Sequence, residues 1–259
     1  MLKYLKAVPR RLWFLVRADT PLWVIWAHCR LTAAHYLSNR FTDSGRKYIA
    51  KRDAFRESAK ALKLDNDWFT SNIPTWLRAF DAVGMKEKRS IECLEVGSWQ
   101  GLSAFFTLNE LSNSSILCVD TWAGADEHKS GHSTDLNILA NIESVFDRNL
   151  SEFQGRIQKF KGESLSYYAS NFALNKYDLI YVDGSHHADD VIVDAVKCFE
   201  MLKVGGLIIF DDYFWRHYQL PIQNPSGAIN LLLRLKKSQF RIVCFDYQIV
   251  LLKTKNYDR

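Results

Sequence analysis

Near residue 90 the hydrophobic period of this chain changes. From there on, short runs rich in Ile, Val and aromatic residues recur: IECLEV (Ile91–Val96), ILCVD (Ile116–Asp120), RIQKFK (Arg156–Lys161), YDLIYVD (Tyr177–Asp183) and LIIFDD (Leu207–Asp212). The segments between them have helical spacing. In ADDVIVDAVKCFEMLK, Val191, Ile192, Ala195, Val196, Phe199 and Leu202 share one face, while Asp190, Asp194, Lys197 and Lys203 share the other. Strands alternating with helices of this length imply βαβ units and a doubly wound, mostly parallel α/β sheet. The end of the chain differs. In FRIVCFDYQIVLLK the runs Phe240–Cys244 and Gln248–Leu252 are joined too tightly for a helical crossover, which predicts an antiparallel C-terminal hairpin.

Upstream, residues 41–87 read as helical and polar. Asp65, Asn66 or Asp67 can cap a helix, Pro74 suits the first turn of the next, and Gly84 stops it. The first 40 residues hold Lys3, Lys6, Arg10, Arg11, Arg17, Arg30 and Arg40 against the single acid Asp19, a balance of +6. The whole chain carries +5, so the remaining 219 residues sum to −1. Arg17, Asp19, Pro21 and Arg30 interrupt every apolar run short of the roughly 18 residues a membrane span needs, and they break any apolar signal-peptide core. Two readings of this segment stand: a basic, aromatic-rich stretch lying on an anionic membrane surface, or a helical extension packed on the domain or on a partner subunit. The chain divides accordingly into an N-terminal helical extension, residues 1–64, and a domain, residues 65–259.

With 47% apolar and 24% charged residues the composition excludes a disordered chain. Cys29, Cys93, Cys118, Cys198 and Cys244 form no C-x-x-C pair and read as small buried hydrophobes in a reducing cytosol. The expected location is cytoplasmic, peripheral at a membrane if residues 1–40 touch lipid. No basic stripe interleaved with aromatics runs through the main body, so no nucleic-acid partner is expected. The oligomeric state is open, a homo-oligomer included.

Chemistry concentrates at the ends of the strand-like runs. In LEVGSWQGLSAFF a buried strand meets the turn Gly97-x-x-x-Gly101 and then a helix starting near Leu102, whose free N–H groups can face a ligand. Trp99 stands where the dinucleotide fingerprint needs its second glycine. Asp120 ends the next strand, 23 residues after Gly97, where a doubly wound sheet places an acid to bind ribose hydroxyls. Together with YDLIYVDGSHH and LKVGGLIIFDDY, these residues resemble a class I S-adenosylmethionine-dependent methyltransferase over about residues 65–255. The resemblance implies a seven-stranded, Rossmann-like sheet with its last strand antiparallel. It implies that Glu95, Gly97, Ser98, Gly101, Leu102 and Ser103 hold the methionine part of the cofactor. It further implies that Asp120, with Thr121 and Trp122, contacts the ribose, that Glu163 and Ser164 contact the adenine, and that Asp183 borders the cofactor.

The stretch YVDGSHHADD (Tyr181–Asp190) then reads as a strand end, a turn and a helix start. Asp189 and Asp190 fall in the first helical turn, where the dipole favours acids, and His187 points away from His186. Asp183, Asp211 and Asp212 come from neighbouring strand ends and would repel one another without a cation or hydrogen-bond donors. Their pattern resembles the metal-dependent sugar O-methyltransferases of macrolide biosynthesis. That resemblance implies Asp183, Asp211 and Asp212 as ligands of Mg²⁺ or a similar ion, and His186 as general base beside Asp183. The other reading leaves Asp183 ordering the turn and Asp211 and Asp212 capping a loop.

The segment WAGADEHKSGHSTDLN (Trp122–Asn137) suits a lid or acceptor loop, with His128 and His132 lacking the further ligands a zinc site needs. YFWRHYQLPIQNP (Tyr213–Pro225) overhangs the expected acceptor pocket or packs against the N-terminal helices. The leading expectation is O-methylation of a small-molecule or glycan hydroxyl, because thiols and amines need neither base nor metal. A nicotinamide-dependent oxidoreductase and a non-catalytic scaffold at a membrane surface are the competing readings.

Overall fold

The computed structural model describes residues 2–124 and 136–256, with side chains from residue 10 onward except for residues 136 and 137. The expected change of period appears as two halves of different construction. Three helices come first: α1 (Leu2–Arg17), α2 (Leu22–Phe41) and α3 (Asp43–Ser58), followed by α4 (Ile73–Ala82). Pro74 occupies the first turn of α4, and Gly84, left-handed at φ +58°, ends the segment. Asp67 caps a short turn instead of a long helix, its carboxylate accepting from the Thr70 amide at 2.8 Å.

From Ile91 the chain alternates. The strands are β1 (Ile91–Val96), β2 (Ser114–Asp120), β3 (Ile157–Lys161), β4 (Tyr177–Val182), β5 (Leu202–Phe210), β6 (Phe240–Phe245) and β7 (Ile249–Lys253). Between them run α5 (Leu102–Glu110), α6 (Ile142–Asn149), α7 (Ser164–Asn171), α8 (Ala188–Met201) and α9 (Pro225–Leu235). The strands form one sheet in the order β3-β2-β1-β4-β5-β7-β6. β1 to β5 pair in parallel, and β7 inserts antiparallel between β5 and β6. The doubly wound, mostly parallel seven-stranded sheet with an antiparallel hairpin is therefore the fold.

Side chains alternate across each strand, so the sheet feeds two cores. Leu94, Val96, Ile180, Val182, Ile208 and Phe210 face α8, α9 and the first two helices. Cys93, Cys118, Leu179, Tyr181, Leu207 and Ile209 face α4, α5 and α6. The N-terminal extension is built into the first of these cores: Phe14, Leu15, Ala18, Val24 and Ala27 are buried there. Its polar contacts are specific. The Asn230 amide donates to the Ala18 carbonyl at 3.0 Å, and the Thr32 hydroxyl donates to the Phe245 carbonyl at 2.8 Å. No described helix is long and apolar enough to cross a membrane.

Candidate active site

Parallel pairing brings the carboxyl ends of four strands level. Val96 pairs with Val119 and Val182, and Val182 pairs with Phe210. Gly97, Asp120, Asp183 and Asp211 therefore leave the sheet along a single edge, where open α/β sheets bind ligands.

The glycine turn is defined by close packing. Gly97 has φ +83°, and a Cβ there would lie 1.9 Å from the Asp183 carbonyl oxygen. Only glycine allows the β1 and β4 loops to touch. Gly101 has φ +86°, and its Cβ would meet Leu150 at 2.8 Å. Both glycines serve protein-to-protein approach. Asp120 organises the turn between them. Its carboxylate accepts from the Ser98 and Trp99 amides at 2.7 and 2.8 Å and from the Trp122 amide at 2.6 Å. Of roughly four lone-pair positions on a carboxylate, three are used inside the protein, which leaves one for a hydroxyl. Trp122 is buried against Phe146, and its indole donates to the Trp99 carbonyl at 3.1 Å.

Glu95 lies under this turn with no exposed surface, and among the described residues neither carboxylate oxygen has a hydrogen-bond partner within bonding geometry. Burial raises its pKa to about 7; the nearby Ser98 and Ser103 hydroxyls offset this only in part, and the Asp120 charge adds to it. The buried Ser98 hydroxyl likewise has no partner in bonding geometry among the described residues. Two orphaned polar groups side by side at a glycine turn and a helix start make a place with capacity for a polar ligand. Leu102 and Ser103 open α5 there, both buried. Thr121 and Glu163 are exposed, and Ser164 begins α7, its hydroxyl hydrogen-bonded to the buried Asp194.

On the β4–β5 side the acids share one network. The Tyr181 hydroxyl reaches Asp183 at 2.8 Å and also bonds Asp211 closely. Gln248 donates to Asp211 at 2.7 Å and accepts from the Trp76 indole at 2.7 Å. Burial, then the charges of Asp211 and Asp212, hold the Asp183 carboxyl well above the usual range. Asp211 is raised in the same way by burial and by Asp212. Asp212 sits at φ +53° and turns outward, accepting from the Tyr247 hydroxyl at 2.6 Å. Its other oxygen lies 2.8 Å from His186 Nε2, and the His186 ring stacks on Trp215 at 4.4 Å.

The structure thus brings Asp183, His186 and Asp212 together, with ligand atoms all within 4.8 Å of one another. Asp211 is turned away from that trio and spent on Tyr181 and Gln248. His187 does face away from His186, bonding and stacking with Tyr218. Asp189 and Asp190 occupy the first turn of α8. The lid expectation, with His128 and His132, falls on residues 125–135, outside the described residues. Four participants have no simple motif: Tyr181, Trp215, Tyr247 and Gln248. Tyr181 alone had a signal, since it precedes Asp183 by two and must share its side of the strand.

A model of the methyltransferase domain family matches residues 94–213, the stretch that runs from the glycine turn through the acidic network. Over that stretch, just under half of the chain, the sequence is similar to the methyltransferase domain family. An uncharacterized protein of Acanthamoeba polyphaga mimivirus is 22% identical to it over 148 residues, 55% of this chain and 62% of that protein. The chain thus matches less than two thirds of that relative's length. A Corynebacterium glutamicum protein superposes with a TM-score of 0.50 at 14% identity, over 88% of this chain and 98% of that one. A candidate caffeoyl-CoA O-methyltransferase of Staphylococcus aureus does so with 0.51 at 14% identity, over 82% and 100%. At these identities the structures speak for the methyltransferase fold alone.

Proposed function

We propose that this methyltransferase domain moves the methyl group of S-adenosylmethionine to a hydroxyl oxygen of a small-molecule or glycan acceptor, with His186 taking the hydroxyl proton. The observation that carries the reading is the pairing of His186 Nε2 with Asp212 at 2.8 Å. A carboxylate that accepts from one ring nitrogen fixes the tautomer of the imidazole and stabilises the imidazolium once it forms. Stacking on Trp215 fixes the ring plane. A proton acceptor is needed for a hydroxyl nucleophile and superfluous for a neutral amine or a thiolate.

The residues fit the cofactor at the other end of the edge. The orphaned Glu95 carboxylate and Ser98 hydroxyl, the α5 start and the remaining lone pair of Asp120 supply an acceptor for an ammonium, donors for a carboxylate and an acceptor for a ribose hydroxyl. When bound, the sulfonium would supply an electrophilic methyl carbon for the acceptor oxygen, with the thioether as leaving group, and His186 would take the hydroxyl proton. The chain's own contribution is to hold the acceptor in line and away from water.

The donors also fit a divalent cation. Asp183 and Asp212 are hard oxygen ligands whose mutual repulsion a cation would relieve, and a cation there would lower the pKa of a bound hydroxyl. Asp211, the third ligand expected from the resemblance, supports the site from behind by holding Tyr181.

Calorimetric titration with S-adenosylhomocysteine tests the proposal. Micromolar binding is expected. A folded protein that fails to bind it, and binds NAD instead, overturns the reading in favour of hydride chemistry.

A further inference from the structure

Helix α2 is apolar on two opposite faces, and among the described residues only one of them is covered. Its inner face is docked: Val24, Ala27, His28 and Thr32 are buried, with His28 between the Phe214 and Phe245 rings at 5.1 and 4.7 Å. The outer face carries large apolar residues near both ends of the helix. Leu22, Trp26, Leu37 and Phe41 lie on it, exposed by 83%, 66%, 53% and 64%. Between them the stripe carries Arg30 and Arg40, two alanines and a cysteine, and no acid. At 1.5 Å per residue this uncovered stripe is about 30 Å long. Helices that are apolar all round are normally buried. The neighbouring α3 shows the ordinary alternative: its outer side carries ion pairs, Arg46–Asp43 and Arg56–Asp53 among them.

The arginines identify the occupant. Arg30 lies over Trp26 at 5.1 Å and Arg40 over Phe41 at 5.6 Å, and at the end of α1 Arg17 lies over the exposed Trp13 at 4.8 Å. Aromatic rings paired with guanidinium groups, on a stripe without acids, match the region where lipid headgroups meet acyl chains. A second copy of the chain would bring one +6 segment against another across a two-fold axis, with no acid in either stripe to answer it. We propose that the outer face of α2 docks on an anionic lipid bilayer, holding the methyltransferase domain peripherally at a membrane surface. The inference stands independently of the acceptor and of the cofactor.

The test uses the full chain and sedimentation with vesicles of phosphatidylcholine, with and without about 30 mol % phosphatidylserine. The expected result is partition onto the anionic vesicles that weakens with salt. The pair Arg30→Gln and Arg40→Gln should lower the partition constant about 25-fold, roughly fivefold for each charge lost at the surface. The pair Trp26→Glu and Leu37→Glu should abolish it. All four positions are exposed or packed only on their own helix, and circular dichroism checks that the variants stay folded. Cys29 is exposed while the other four cysteines are buried, so a polarity-sensitive thiol dye reads out contact along this face. Vesicle-dependent blue shift of the dye is expected. Absence of partition, partition equal in the wild type and the arginine pair, or partition without a dye response each overturns the proposal. So does a wild-type dimer by light scattering that becomes monomeric in the Trp26–Leu37 variant, because the face then belongs to a second copy.

Discussion

Glu95 offers the most quantitative check on the site. Its carboxyl is fully buried and has no partner in bonding geometry among the described residues, and burial moves its pKa from 4.5 to about 7. Between these two pH values the folded chain holds a proton that the unfolded chain has released. Unfolding therefore releases protons there, and stability falls as pH rises through the window. At 1.36 kcal/mol per pH unit the group changes the folding free energy by about 3 kcal/mol, all of it lost from the folded state above pH 7. The perturbation is Glu95→Gln, which keeps the shape and removes the titration. Urea unfolding of both proteins at pH 4.5, 6 and 8 cancels every other titrating group in the difference. Wild type minus variant should fall by about 3 kcal/mol from the most acid to the most alkaline point. The same substitution should weaken S-adenosylhomocysteine binding, and do so more at pH 8 than at pH 5, since an ammonium attracts the ionised form. A difference curve flat within about 0.5 kcal/mol would refute the argument, because it would mean that Glu95 is solvated or paired in solution.

Four further outcomes are expected. Gly97→Ala should prevent folding or cost more than about 3 kcal/mol, because its Cβ meets the Asp183 carbonyl at 1.9 Å, whereas Gly155→Ala, with open space at φ +89°, should cost about 1 kcal/mol; thermal melts separate the two. Asp120→Ala should weaken S-adenosylhomocysteine binding and also lower stability by about 1–3 kcal/mol, because three loop amides lose their acceptor; calorimetry and urea unfolding measure each part. His186→Ala should leave S-adenosylhomocysteine affinity nearly unchanged while lowering methyl transfer to an acceptor panel by about 10²–10⁴-fold, as measured with radiolabelled donor. Asp212→Asn should remove Mn²⁺ binding followed by electron paramagnetic resonance, while a wild type that binds no Mn²⁺ would leave Asp183 and Asp212 a purely proton-handling pair.

The fold was readable because parallel strands buried on both faces appear as continuous apolar runs, and the helices between them show one clean apolar face. The ends of those runs placed Gly97, Asp120, Asp183 and Asp211 on one edge before any geometry was available. What pattern could not reach was which acid faces which neighbour. Asp211 and Asp212 are adjacent, and only the left-handed backbone at Asp212 sends one inward to Tyr181 and the other out to His186. Gln248 and Tyr247 come from the hairpin, and Trp76 from α4; all are remote in sequence, so no spacing rule connects them to the strand ends. The glycines were legible as turn formers, but their reason was not, because the atoms that forbid a Cβ belong to another loop.

The extension is where local reading was weakest and where the structure connects most parts. Low polarity on both sides of α2 hides its orientation, since a sequence does not say which apolar face is covered. The contacts do. Phe14 packs on Phe214 at 5.4 Å, Thr20 lies 3.2 Å from the Tyr213 hydroxyl, and Arg216 lies over Phe14. These partners all belong to the loop after β5, whose next residue, Trp215, stacks on His186. The helices that present the uncovered stripe thus also clamp the loop that orients His186. A rigid loop needs its anchor on the side away from the reacting atoms, and α1 and α2 supply it through the core they share with β5 and α9. Phe14, Thr20 and His28 are accordingly part of the support of the site, although they lie in a segment far from the strand ends in sequence.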